Sequence, residues 1–372
     1  MTNFLSGLRL SAEFFQEAVA PILAAEFPSV PYSAALIGSG SEVLGFDTEM
    51  SRDHHWGPRV MLFLREADHA RYREALRQSL GDRLPRSFQG YPTNFTPPDP
   101  ADGGTQLLQA VDTGPINHRV DILTMRGFWL DYLNYDIDLE IESVDWLTFP
   151  EHRLRSLVSG AVFHDDVGLQ AVRDRFAYYP HDVWLYLLAA GWARIGQEEH
   201  LMGRAGSVGD EMGAALIGAR LVRDIMRLCF LMERQYAPYP KWFGTAFKQL
   251  SHAAGLAPVL QQALSAGSWQ EREEHLSTAY EYLAAWSNEL GMTEMLPGKT
   301  TLFFGRPFRV IWGRKFSDAI CARITDPAVR RLTQRPLIGS IDQFSDSTDL
   351  FSDPSWRMAL RNLWLAEEAS SA

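Results

Sequence analysis

The 372-residue chain is poor in cysteine, with only Cys229 and Cys321. Two thiols cannot build a disulfide framework or a multi-cysteine zinc cluster. Their apolar surroundings, "RLCFLM" and "DAICARI", suit a reducing, cytoplasmic setting. The chain also lacks any run of 18 or more apolar residues, so no membrane span is expected. Its first residues carry acids at helical spacing and lack a basic segment followed by a long apolar one, so no signal peptide is expected. Internal repeats and low-complexity tracts are missing too. Positive charge is in short supply: 35 Lys and Arg stand against 46 Asp and Glu, a net charge of -11. That balance argues against a long nucleic acid as partner, while leaving room for a small basic pocket for phosphate.

What is present is apolar. At 46% hydrophobic residues, the chain can bury a large core or two smaller ones. Residues 3–26 recur at helical spacing, and Pro28 and Pro31 stop that helix. "SAALIG" (33–38) is a short apolar run ending in glycine, which reads as a buried strand and a sharp turn. "RVMLFL" (59–64) reads as a central strand, 66–80 as a charged helix, 84–104 as loop, and "NHRVDILT" (117–124) as a third strand. Beyond about residue 150 the period turns helical: 181–205, 209–239 and two further segments read as a bundle, with a strand-like turn at 301–304. The fold class expected is α+β, with a mixed-sheet α/β domain over 1–150 and a helical-bundle domain with a C-terminal segment over 151–372.

The stretch "GSGSEVLGFDTEMSRDHHWGPRVMLFL" (38–64) carries the chemistry. Glycine lets backbone approach a phosphate closely, serine adds a hydroxyl, and successive N–H groups make an anion nest. Acids on a neighbouring strand can hold a divalent cation that bridges the same phosphates. If positions 53 and 55 lie on one strand they face the same side, so Asp53 and His55 can share an ion. Asp121, within "VDI" on another strand, completes a candidate metal set of Asp53, His55 and Asp121. Arg59 is a candidate bidentate phosphate donor.

Gly-Ser, a gap of about a dozen residues, acid-x-acid and a third acid between apolar residues resembles the polymerase-β-like nucleotidyltransferases. Gly38-Ser39 stands thirteen residues before Asp53 (40–52) and Gly40-Ser41 eleven (42–52), so either pair fits. "SRDHHWGPRVMLFL" and "ARLVRDIMRLCFLMERQYAPYPKWFGTAF" look like a bacterial group of that superfamily whose helical C-terminal half is similar to antibiotic nucleotidyltransferases.

The resemblance implies transfer of a nucleoside monophosphate from a nucleoside triphosphate, ATP first. The acceptor is a hydroxyl or amine of a small molecule, Mg²⁺ or Mn²⁺ assists, and pyrophosphate leaves. Asp53 and Asp121 are its catalytic acids, with Glu198 or Glu199 facing the acceptor as general base and Glu199 chosen. Gly38, Ser39, Gly40 and Ser41 form its nucleotide site, and two cations read from their own surroundings join them as candidates: Arg59, and Lys241 among the aromatics of "PYPKWFG". The chain departs from the pattern at His55, where the superfamily has an acid. Three readings follow: an unusual His ligand, a site using Asp53 and Asp121 alone with His55 at a phosphate, or a degenerate nucleotide-binding or sensing protein. "RPFRVIWGRK" (306–315) is a second candidate for phosphate contacts. Arg194 and His200 match the spacing of helical ribonuclease domains.

Overall fold

A computed structural model describes residues 4–53 and 55–365, of Asp53 only the backbone. The described chain is α+β, with a mixed four-stranded sheet and many helices. It divides into two compact units. One runs to Glu140 and takes in Arg153–Ala177; the other combines Ile141–His152 with the chain from Tyr178 onward. The contacts therefore do not divide at one cut near 150. Among the described residues, no helix is long and apolar enough to cross a membrane.

In the first unit, helix α1 (Gly7–Phe14) runs through a π-helical turn (Phe15–Val19) into a second helix, Ala20–Glu26. Strand β1 (Tyr32–Leu36) pairs antiparallel with β2 (Arg59–Leu64), and β2 pairs in parallel with β3 (Arg119–Thr124). All six residues of β2 are buried, as expected of a central strand in a continuous apolar run. Helix α2 (Glu66–Arg83) connects β2 towards β3, and α3 (Met125–Leu133) follows β3, with Thr124 Oγ1 accepting the Gly127 N–H as its N-cap. The core gathers Leu10, Phe14 and Val19 against Val60, Leu62, Val120 and Ile122.

The fourth strand departs from the expected division. Strand β4 (Ala161–Asp165) pairs antiparallel with β1, so the sheet order is β3-β2-β1-β4. It is an edge strand with four half-buried residues and an exposed fifth, so it lacks the apolar run that marks β2. Gly160 admits it to the sheet. Its φ is +72°, and a Cβ there would collide with the Leu36 carbonyl oxygen. Gly160→Ala is therefore expected to cost about 3 kcal/mol or more in a denaturant titration, from the left-handed backbone and the clash together. A cost below about 1 kcal/mol would remove that account of the strand's entry.

In the second unit, the expected single helix over 181–205 is two, α4 (His181–Glu198) and α5 (Leu201–Ser207). Helix α6 (Glu211–Met232) ends seven residues before the expected 239, and α7 (Ala253–Ser265) and α8 (Trp269–Glu289) follow. A hairpin of β5 (Thr301–Phe303) and β6 (Arg306–Val310) leads into α9 (Gly313–Cys321). This unit is helical around one hairpin.

Candidate functional site

The candidate residues of the first unit meet at one end of the sheet. Because β1 is antiparallel to β2, the turn after Leu36 lies beside the start of β2; because β2 and β3 are parallel, Arg119 starts β3 at the same end. That end gathers the Gly38–Ser41 turn, the segment entering β2, and Arg119 and Asp121.

The turn is held from below. Arg59 is 8% exposed; its Nε donates to Glu42 Oε1 at 2.8 Å, and its Nη2 donates to the Ser39 carbonyl at 2.9 Å. Glu42 is 5% exposed, so the ion pair is taken out of water. A Cβ on Gly40 would stand 2.5 Å from Arg59 Nη2 and 2.7 Å from Glu42 Oε2, so only glycine lets the turn sit this close. Arg59, expected at a phosphate, instead pins the turn. The Ser39 hydroxyl bonds the Tyr132 phenol, which burial pushes up in pKa and bonds with Ser39 and Ser156 hold down. Gly38 donates its N–H to the Ser156 carbonyl at 3.0 Å. No hydrogen bond to the Ser41 side chain occurs among the described residues.

Asp53 and His55 do not share a strand, against expectation. Residues Glu49–Asp53 form a 3-10 turn, His55 has φ +52°, and β2 begins only at Arg59. A positive φ breaks the period-two alternation that would have put the two side chains on one face. The turn is anchored by Arg52, whose guanidinium lies over the Phe4, Trp56 and Tyr91 rings. Asp47 ties the loop down by accepting the Gly7 N–H at 2.6 Å and the Trp56 indole N–H at 3.1 Å. The Asp53 side chain lies outside the described residues.

Arg119 is the residue that sequence reasoning missed. Its Nη1 meets His55 Nδ1 at 2.5 Å and donates to Gln106 Oε1 at 3.1 Å. The Gln106 N–H also points at His55 Nδ1, at 3.4 Å. Burial lowers the Arg119 pKa, opposed by the nearby Asp121 and Glu42 charges and assisted by Arg59. Its Nε is buried without a hydrogen-bond partner. The signal available was its place two residues before Asp121: alternation along β3 puts both on the face opposite buried Val120 and Ile122.

The donors here fit a divalent cation in part. Asp121 is half-buried and no hydrogen-bond donor engages its carboxylate among the described residues, which suits a hard cation. His55 does not offer Nδ1, because that nitrogen faces a guanidinium. Among the described residues no group of three or more His, Cys, Asp or Glu is poised for a metal.

Glu199 and Lys241 lie in the second unit. Glu199, expected as general base, turns into its own unit. It is buried, and its carboxylate accepts the N–H groups of Ile311 (2.6 Å), Trp312 (3.2 Å) and Gly313 (3.1 Å) where the hairpin enters α9. That engagement sits at the break between α4 and α5. Burial pushes its pKa up to about 7, against those three hydrogen bonds. Lys241 is exposed on a 3-10 turn (Pro240–Trp242), its amine 5.1 Å from the Trp242 ring. Arg194 and His200 do not converge on one group. Arg194 meets Asp224 at 3.2 Å and Glu198 at 3.4 Å, whereas His200 stacks on Phe303.

The Glu199 shift has a sign that can be checked. A carboxyl with a folded pKa near 7 and a usual value of 4.5 keeps its proton on folding over that interval. The folded state then binds more protons than the unfolded one, so stability falls as pH rises from 4.5 to 7, by at most about 3 kcal/mol. Glu151, also pushed up to about 7 by burial and then by Asp342, adds to the same slope. Glu199→Gln is expected to flatten the decline by the Glu199 share, read from urea titrations across pH. An unchanged slope would mean the Glu199 carboxyl ionises as it does in water.

Residues 146–243 match a family model described as a domain of unknown function, DUF4037. That span takes in β4, α4, α5 and α6. No curated protein matches the chain. Among solved structures, a nucleotidyltransferase-like protein from Exiguobacterium sibiricum 255-15 is similar at 12% identity over 75% of this chain and 80% of that one, with a TM-score of 0.29.

Proposed function

We propose that this protein is a nucleotidyltransferase that moves a nucleoside monophosphate from a nucleoside triphosphate, ATP first, to a hydroxyl or amine of a small acceptor. One observation carries the reading: the Gly38–Ser41 turn, Asp121 and the half-buried Arg119 converge at one end of a mixed sheet. A glycine-serine turn, an open carboxylate and a half-buried guanidinium are parts that suit a triphosphate.

In this reading Gly40 and Ser41 approach the β- and γ-phosphates, since the Ser39 hydroxyl is committed to Tyr132. Arg59 and Glu42 hold the turn in place, and Arg119, whose Nε has no hydrogen-bond partner, meets the charge of the triphosphate. Asp53 and Asp121 hold Mg²⁺ or Mn²⁺, which when bound neutralises charge on the triphosphate. His55 is turned to Arg119 and orients that guanidinium. The acceptor's attacking oxygen or nitrogen bonds to the α-phosphorus, the bond to the β-phosphate bridging oxygen breaks, and pyrophosphate departs with that electron pair. The acceptor's proton passes to solvent.

The test is incubation with each labelled triphosphate, Mg²⁺ or Mn²⁺, and a metabolite extract. Pyrophosphate release that depends on extract supports transfer. The Arg119–His55 contact favours one second reading, a sensor that keeps the pocket without turnover. Nucleotide-dependent thermal stabilisation with no pyrophosphate under either metal would replace the first reading with that one.

A further inference from the structure

The hairpin β5–β6 carries chemistry that the transfer site does not use. It closes through Phe304-Gly305, between the paired residues Phe303 and Arg306. Both turn residues have positive φ, 49° and 75°. A two-residue turn of that kind favours Asn-Gly, and a bulky ring at its first position is disfavoured. The ring is nonetheless there, and Phe304 is 75% exposed. It sits edge-on to two partly exposed rings, Phe303 at 4.8 Å and Trp312 at 5.1 Å between centroids. His200 stacks on Phe303 at 4.3 Å, with planes 18° apart. The Trp312 indole is fixed by donating to Thr301 Oγ1 at 2.7 Å. These rings form a contiguous aromatic cluster at the hairpin turn, with the planes of Phe303 and Trp312 turned 66° and 83° from that of Phe304, and not a buried core.

Cations surround it. The Arg306 guanidinium lies 5.9 Å from the Phe303 ring, and the Lys315 amine 5.3 Å from the Trp312 ring. Arg204 and Arg306 both act electrostatically on His200, lowering its pKa after burial. Among the described residues no ion pair engages Arg204, Arg306 or Lys315. Arg314 is paired with Asp318, and the acid near Arg309 is Glu273, which accepts the Arg309 N–H. A chain of net charge -11 thus gathers three cations outside any ion pair of the described residues around exposed aromatic rings. Rings alone would suit an apolar partner, and cations alone any polyanion. Together they suit a polyanion whose units also present flat faces.

We propose that this hairpin binds single-stranded nucleic acid, with bases stacked on Phe304 and its neighbouring rings and phosphates against Arg204, Arg306 and Lys315. The binding surface lies wholly in the second unit and does not depend on the transfer reading.

The experiment is fluorescence anisotropy of a labelled single-stranded RNA of about 12 nucleotides, within the span one such site covers, with the full chain and no triphosphate. Binding should weaken as salt rises. Phe304→Asn keeps a residue that tolerates the left-handed turn and removes only the ring; it should weaken binding about tenfold. Lys315→Ser should lower the slope of log affinity against log salt by about 0.7. The duplex form of the same sequence should bind less well, because its bases are already stacked. Absence of binding at low salt would overturn the proposal. So would an unchanged affinity in Phe304→Asn, or equal affinity for polyglutamate, which marks a patch for acidic chains. A dimer that Phe304→Asn dissociates and RNA does not disturb would assign the cluster to a second copy of the chain and overturn it too.

Discussion

Asp121→Asn is expected to lower pyrophosphate release about 10³-fold while leaving the fold intact. The size follows from losing several kcal/mol of charge stabilisation where negative charge moves from the α-phosphate towards pyrophosphate. The fold should survive because Asp121 is half-buried and accepts no hydrogen bond within the described structure. Its removal breaks no hydrogen bond among the described residues but takes away a charge that offsets the half-buried Arg119, so stability should fall by no more than about 1 kcal/mol. The strand is unaffected, since the change of side chain leaves the backbone pairing of β3 with β2 at Met61 as it was. Release of pyrophosphate at the parental rate in Asp121→Asn would end the assignment of this sheet end as the transfer site. A loss of activity matched by an equal loss of folded protein would mean that Asp121 is structural.

Arg59→Ala should be the most destabilising single change at this end of the sheet, by about 3–5 kcal/mol. The cost comes mainly from what remains. Glu42, 5% exposed, would be left as a buried carboxylate without its cation, and the Ser39 carbonyl would lose its donor. The paired replacement Glu42→Leu with Arg59→Met removes both charges at similar volume and should recover most of that stability. It should not recover nucleotide binding, because nothing then ties the Ser39 carbonyl to β2. A denaturant series on the two variants, read beside nucleotide-dependent thermal shifts, separates the contributions. An Arg59→Ala variant within about 1 kcal/mol of the parent would mean the pair is solvated, and the account of the turn would fall with it.

Much of the first unit was legible in the chain itself. "RVMLFL" is central because an uninterrupted apolar run leaves no polar face to solvate, and the structure buries all six residues. "SAALIG" ends in a turn because Gly38 takes a φ of +79°. The third strand and the charged helix after β2 follow from period and length. Strand β4 was not legible. Its half-buried residues look like ordinary surface, and its place depends on β1 offering an unpaired edge and on Gly160 leaving room for the Leu36 carbonyl.

The candidate site divides in the same way. The chain by itself determined the residue types and their order: a doubled Gly-Ser turn, Asp53, His55, Asp121. Partners could not be assigned from it, because they are set by groups far away in the chain. His55 meets Arg119 across 64 positions, Glu199 is engaged by backbone 112 to 114 positions on, and Arg59 is held by Glu42. Local pattern records what a residue can do. Whether Arg59 holds a phosphate or a turn, or Glu199 a proton from an acceptor or the start of α9, depends on which polar groups are buried beside it. A buried charge must be matched by the nearest group able to match it, and only the tertiary structure says which group that is.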